Sequence, residues 1–201
     1  MVCVVDYRPG VGSASSAEVA PGTLLVAAPS LLDLHFRRTV IYIIEHRSRG
    51  SLGVVLNRPS EVTVRDVLPS WAPLSSQPSV FVGGPVESET ALCLAAVRTG
   101  HDPASVEGLV TVRGPVALVD LDAEPSRIGP RLRGLRVFAG YSGWSAGQLA
   151  GEIARGDWIV VPALPDDVLN RHDTKLWGHV LRRQGMPLSL LATYPLDVRN
   201  N

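Results

Sequence analysis

The segment Val40-Ile41-Tyr42-Ile43-Ile44 constrains this fold more than any other stretch. Four of its five residues are β-branched and none is charged, so it lacks the polar alternation of a half-exposed strand and fits a strand buried on both faces. Arg47-Ser48-Arg49-Gly50 follows as a tight polar loop, and Leu52-Gly53-Val54-Val55-Leu56 supplies a second strand. Together they predict a β-hairpin. The apolar run is far shorter than the roughly 20 residues that cross a bilayer as a helix, and the expectation is a soluble chain without a membrane partner.

The remaining elements are placed around this hairpin. Gly22–Ala28 reads as a strand and Leu31–Phe36, after Pro29, as a turn or short helix. Asn57-Arg58-Pro59 ends the hairpin, and Thr63 with Asp66 three residues later resembles a capping box opening a short helix that runs to about Ser70. A Pro- and Ser-rich loop leads to strand Val80–Val82, the turn Gly83-Gly84-Pro85 and an apolar run from Ala91 to Val97. Leu109–Val112, Ala117–Leu121 and Leu135–Ala139 fit further short strands. The period then changes: Leu149 and Ile153 predict a helix over Ser145–Arg155, stopped by Gly156. Trp158–Val161 is another strand, a short helix surrounds Val168 and Leu169, and a final helix runs from Thr174 to Gln184, with Gly185 as its stop. Residues 1–20 have loop composition and read as a flexible N-terminal tail, leaving 21–201 as a single domain.

Composition narrows the function classes. Lys+Arg and Asp+Glu are 19 each in 201 residues, and this zero net charge disfavours direct nucleic-acid binding. The basic residues are almost all arginine, with Lys175 the sole lysine, a bias expected of a GC-rich bacterial genome. Cys3 and Cys93 form neither a disulfide framework nor a thiol metal site, and with no cationic leader the expected location is cytoplasmic. His35, His46, His101, His172 and His179 show no metal-ligand spacing. Neither a lysine-bearing phosphate loop nor a dinucleotide fingerprint is present, so no cofactor and no metal is expected.

The candidate site begins at Gly140-Tyr141-Ser142-Gly143-Trp144, followed by Gln148. If a strand runs into a glycine-rich turn that opens a helix, free backbone amides and the positive dipole end converge, and the loop can hold a small anion. In the competing structural reading Ser142 or Ser145 caps the helix, Gln148 completes a capping box and Trp144 anchors the loop in the core. A hydrolase elbow requires glycine two residues after the serine, whereas Trp144 stands there; a nucleophilic Ser142 would need His46 or His35 as base. Asn57-Arg58-Pro59 and Gly83-Gly84-Pro85 each end a strand and can meet on one rim, where Arg58 offers a bidentate fork to a carboxylate or phosphate. Its structural alternative is an ion pair with Glu45 or Glu87, and an Asx turn at Asn57.

Taken in order, these segments resemble the bacterial YqgE/AlgH family. The resemblance is carried by Gly22–Pro29, Phe36-Arg37-Arg38-Thr39-Val40, His46, Gly53–Pro59, Gly83-Gly84-Pro85-Val86, Gly140–Trp144, Gly147-Gln148-Leu149 with Glu152, and Trp158, whereas the sequence between Gly100 and Arg133 matches no motif. It implies an α+β fold with a mixed, bent or bifurcated β-sheet forming a pseudo-barrel with flanking helices. It also implies a transcriptional-regulator role, for which no helix-turn-helix pattern or basic stripe is present. The reading that follows is a non-enzymatic binding or regulatory module acting through a small anion or a protein partner. Its alternatives are an enzyme acting on an anionic substrate at the Gly140–Trp144 loop and a direct nucleic-acid binder.

Overall fold

A computed structural model describes residues 18–169 and 173–194. Strands β1 (Thr23–Ala27), β2 (Val40–Arg47), β3 (Gly50–Val55) and β4 (Pro59–Thr63) precede the one-turn helix α1 (Val64–Val67). Then come β5 (Ser79–Val82), β6 (Val86–Val97), β7 (Leu109–Arg113), β8 (Val116–Val119), α2 (Pro125–Ile128) and the 14-residue β9 (Leu132–Ser145). Helix α3 (Gln148–Ala154), β10 (Trp158–Pro162), α4 (Pro165–Leu169), α5 (Leu176–Arg182) and α6 (Leu188–Leu191) complete the order.

The ten strands make one sheet in the order β10-β1-β2-β3-β9-β6-β8-β7, with β4 and β5 branching from β9. The branch explains the shape. One edge of β9 pairs with β6 from Leu132 to Tyr141, while its other edge meets β5 in parallel at Phe138 and Ala139, then β3 antiparallel from Ser142 to Ser145. The sheet is therefore bifurcated and curls into a half-barrel, as the family resemblance implies.

Burial follows the side-chain alternation of each strand. Val40, Tyr42 and Ile44 of β2 join a core with Phe81, Phe138 and the α5 residues Leu176, Trp177, Val180 and Leu181. Ile41 and Ile43 face the opposite way, into a second cluster with Trp144, Leu149 and Trp158. That is why the β-branched run has no polar face. A third cluster packs Trp71, Cys93, Leu135 and Val137 on the far half of the sheet.

The β2–β3 hairpin and the α1 capping box form as expected: Asp66 N–H donates to Thr63 Oγ1 at 3.3 Å and Thr63 N–H to Asp66 Oδ2 at 3.3 Å. Several elements differ from expectation. The α1 helix ends at Val67 and β4 is an additional strand, while Leu31–Phe36 takes the turn rather than the helix of its two expected forms. Helix α5 is followed by α6 after the Gly185 stop. The expected tail falls mostly outside the described residues, and Val19 at its end packs against the cluster of Trp144 and Trp158. His172 and Cys3 lie outside the described residues. Among the described residues no helix is long and apolar enough to cross a membrane.

Candidate functional site

The Gly140–Trp144 segment is the largest departure from expectation, because it is not a turn opening a helix but the second half of β9. Ser142, Gly143 and Trp144 pair with Gly53, Leu52 and Ser51 of β3, and Tyr141 with Val86 of β6, so this stretch serves the sheet instead of a converging nest. Helix α3 starts later, capped at Gly147. The glycines are explained by crowding where the sheet forks. Gly83 N–H donates to Ala139 O at 2.8 Å and Val55 N–H donates to Gly83 O at 2.9 Å, which ties β5, β9 and β3 together. A Cβ at Gly83 would lie 2.2 Å from Gly140 O, and one at Gly84 would lie 2.3 Å from Tyr141 O. Gly140 combines φ +66° with a space only 2.7 Å from Val86 O. Backbones pass too closely there for any side chain.

Ser142 is fully buried, and its hydroxyl donates to Gly83 O at 3.2 Å. His46 bonds Ser51 Oγ at 2.7 Å and His35 stands edge-on to Phe36, so these contacts engage neither imidazole with Ser142. The segment expected as a substrate loop is thus a strand, and its serine hydroxyl is engaged by a backbone carbonyl. Tyr141 packs against the main core, and its phenol is raised above the ordinary value by desolvation, then by the charge and hydrogen bond of Glu87.

Trp144 and Gln148 belong to a scaffold centred on Glu152. The indole N–H groups of Trp144 and Trp158 both donate to Glu152 Oε2 at 2.8 Å, with the two rings 6.2 Å apart in an edge-to-face arrangement. Gln148 Nε2 donates to Glu152 Oε1 at 3.0 Å, while its Oε1 accepts the Ser145 amide at 3.0 Å. One half of the expected Ser145–Gln148 capping box therefore exists, with Gly147 in the cap position.

Asn57 and Arg58 build the other side. Asn57 is buried; its Oδ1 accepts Val40 N–H at 2.9 Å and its Nδ2 donates to Arg38 O at 2.8 Å, so it fastens the start of β2 instead of making a local Asx turn. Val82 N–H donates to Arg58 O at 2.8 Å, bringing the Asn57-Arg58-Pro59 and Gly83-Gly84 segments together as the sequence suggests. The Arg58 side chain does not reach Glu45 or Glu87. It donates from Nη2 to Arg37 O at 2.5 Å, and among the described residues neither Arg37 nor Arg58 has a carboxylate partner. Desolvation, then repulsion from Arg37, lowers the Arg58 pKa, and the same causes lower that of Arg38.

Sequence reasoning missed two features. Arg136 is fully buried in β9, donating to Leu56 O at 2.8 Å with its guanidinium 4.2 Å over the Phe81 ring. The loop between β1 and β2 turns Leu31 and Phe36 inward while Leu32 and Leu34 are 70% and 83% exposed. Three leucines within four residues outside any strand period were the available signal.

The chain is an α+β domain whose curled sheet forks at β9, with an arginine rim beside the fork. The AlgH-like family model, DUF179, matches residues 24–189, and the chain belongs to that family. A UPF0301 protein of Mycolicibacterium vanbaalenii is 58% identical over 184 residues, covering 91% of this chain and 92% of the relative. A UPF0301 protein of Rhodococcus opacus is 56% identical over 184 residues, with the same coverage of 91% and 92%. A crystal structure of a Corynebacterium diphtheriae protein superposes with TM-score 0.85 at 42% identity, covering 89% of this chain and 94% of that one. The solution structure of AlgH from Pseudomonas aeruginosa superposes with TM-score 0.64 at 26% identity, covering 89% and 98%.

Proposed function

We propose that this protein is a cytoplasmic, non-enzymatic binding module that exerts a regulatory effect by capturing an anionic group of a partner at the Arg37–Arg58 rim. The observation that carries the reading is the Arg58 guanidinium: it is oriented by Arg37 O, crowded by a like charge, and has no carboxylate partner among the described residues. Two guanidiniums that repel each other across a partly desolvated rim are relieved by an anion, and arginine suits a carboxylate or phosphate through its planar fork. Among the proposed binding residues, Asn57 holds the rim in place, while Gly83, Gly84, Gly140, Tyr141, Ser142, Gly143, Trp144 and Gln148 support it as framework. The zero net charge argues for a localised contact over the long electrostatic stripe that nucleic acid requires.

The test is thermal unfolding of the whole chain with citrate, inorganic phosphate and nucleotides, alongside Arg58→Gln and Arg37→Gln. An anion that binds the native state raises the midpoint by mass action. The expected result is a rise in the parent protein that is lost in both variants and weakened by added salt. An equal rise in parent and variants overturns the assignment to this rim.

A further inference from the structure

We infer that the anion captured at this rim is the carboxylate of an acidic peptide segment of a partner protein, whose neighbouring apolar side chains pack on Leu32 and Leu34. The inference rests on the Arg37–Arg58 reading and adds the class of partner. Isolated exposed leucines are ordinary on a protein surface. Leu32 and Leu34 differ in how they are held.

Their turn is fastened along its length. Asp33 Oδ1 accepts the His35 and Phe36 amides at 2.9 and 3.2 Å, and Thr39 Oγ1 donates to Phe36 O at 2.7 Å. Phe36 packs edge-on against Trp158 with centroids 5.6 Å apart. Asn57 holds Arg38 O while Arg58 holds Arg37 O, and Arg38, at φ +54°, donates to Tyr194 O with its guanidinium 4.5 Å over the Trp177 ring. A non-glycine residue keeps such a backbone conformation only where its surroundings over-determine it. The exposed leucines thus stand on a preorganised platform, which lowers the ordering cost of association.

Charge complementarity selects the occupant. Arg37 and Arg58 call for a carboxylate, and the leucines three and five residues before Arg37 call for aliphatic or aromatic contact in the same ligand. Nucleic acid offers its phosphates but leaves the leucines without a partner.

The experiment selects peptides from an unbiased displayed library against the full-length protein, then measures the affinity of a resynthesised winner. Enriched peptides should carry Asp or Glu next to Leu, Ile, Phe or Trp. Affinity should fall about tenfold or more in Leu32→Ser/Leu34→Ser and in Arg37→Gln/Arg58→Gln, as expected of central contacts. Leu32, Leu34 and Arg37 are exposed and Arg58 is half-buried, and an unchanged unfolding midpoint certifies the fold of each double variant. Loss in the arginine variant with full affinity in the leucine variant overturns this inference and leaves the anion rim standing. Binding unaffected by either variant overturns both. Winners without acidic residues, or no enrichment at all, overturn the peptide assignment. Leucine-dependent sedimentation of the protein with phosphatidylglycerol vesicles would replace the peptide with a membrane surface.

Discussion

Asn57 and Arg58 are chain neighbours with opposite fates, and the contrast shows what a single residue reveals. Asn57 is buried and bonded to two backbone groups, Val40 N–H and Arg38 O, so Asn57→Ala should cost about 1–3 kcal/mol in urea unfolding, the penalty of losing buried partners. Gly83→Ala should cost at least about 3 kcal/mol or prevent folding, since its Cβ would sit 2.2 Å from a backbone oxygen. Recovery of a Gly83→Ala protein with the parent midpoint would refute that account of the fork. The meeting of the Asn57-Arg58 and Gly83-Gly84 segments was legible because strand-ending signals mark rims. The role of Gly140 and Ser142 was not. A glycine-rich stretch after an apolar strand has the same local pattern whether it opens a helix or continues between neighbours that leave no room for a Cβ. What decides is the arrival of β3, β5 and β6, which is long-range information.

At the level of elements, the hairpin and the α1 cap were readable because their determinants lie within a few residues of one another. Strand β9 was not readable at full length: Gly134, Gly140 and Gly143 weaken its strand pattern, and Arg136 places a charge at a buried position. Its burial relies on a carbonyl and an aromatic face supplied by residues distant in sequence. Strand β4 starts at Pro59 and is largely exposed, so it lacks an apolar face to announce it. The join between β9, α3 and β10 depends on Glu152. Glu152→Ala should leave two indole N–H groups without their acceptor, lower stability by about 1–3 kcal/mol and alter the tryptophan emission. Unchanged emission and stability would mean that the two-tryptophan clasp contributes nothing to this join.

For the molecule as a whole, the interior sets a response to alkali. Burial raises the Cys93 thiol, and burial, followed by the opposing effect of Arg113 and the reinforcing one of Asp167, leaves the Tyr42 phenol raised. Both acids stay neutral in the fold. The unfolded chain ionises first as pH climbs through the ordinary thiol and phenol ranges, so stability present below those ranges is lost above them. Urea midpoints should fall as pH rises from about 8 to 10, with the fall reduced in Cys93→Ala; a flat profile would contradict it. In a Cys3→Ser background, a thiol reagent should label Cys93 only as fast as the core opens.

The forked strand also bears on how the protein is made. Strand β9 is synthesised after β3, β5 and β6, yet it borders all three, and β10 emerges later still to cover β1. A growing chain that has not reached Leu132 carries several strands whose common neighbour does not yet exist. Their open edges are available for wrong pairings in the interval. The sheet closes only once β9 and β10 have emerged instead of being assembled as each hairpin leaves the ribosome, which leaves the nascent chain open to aggregation until then.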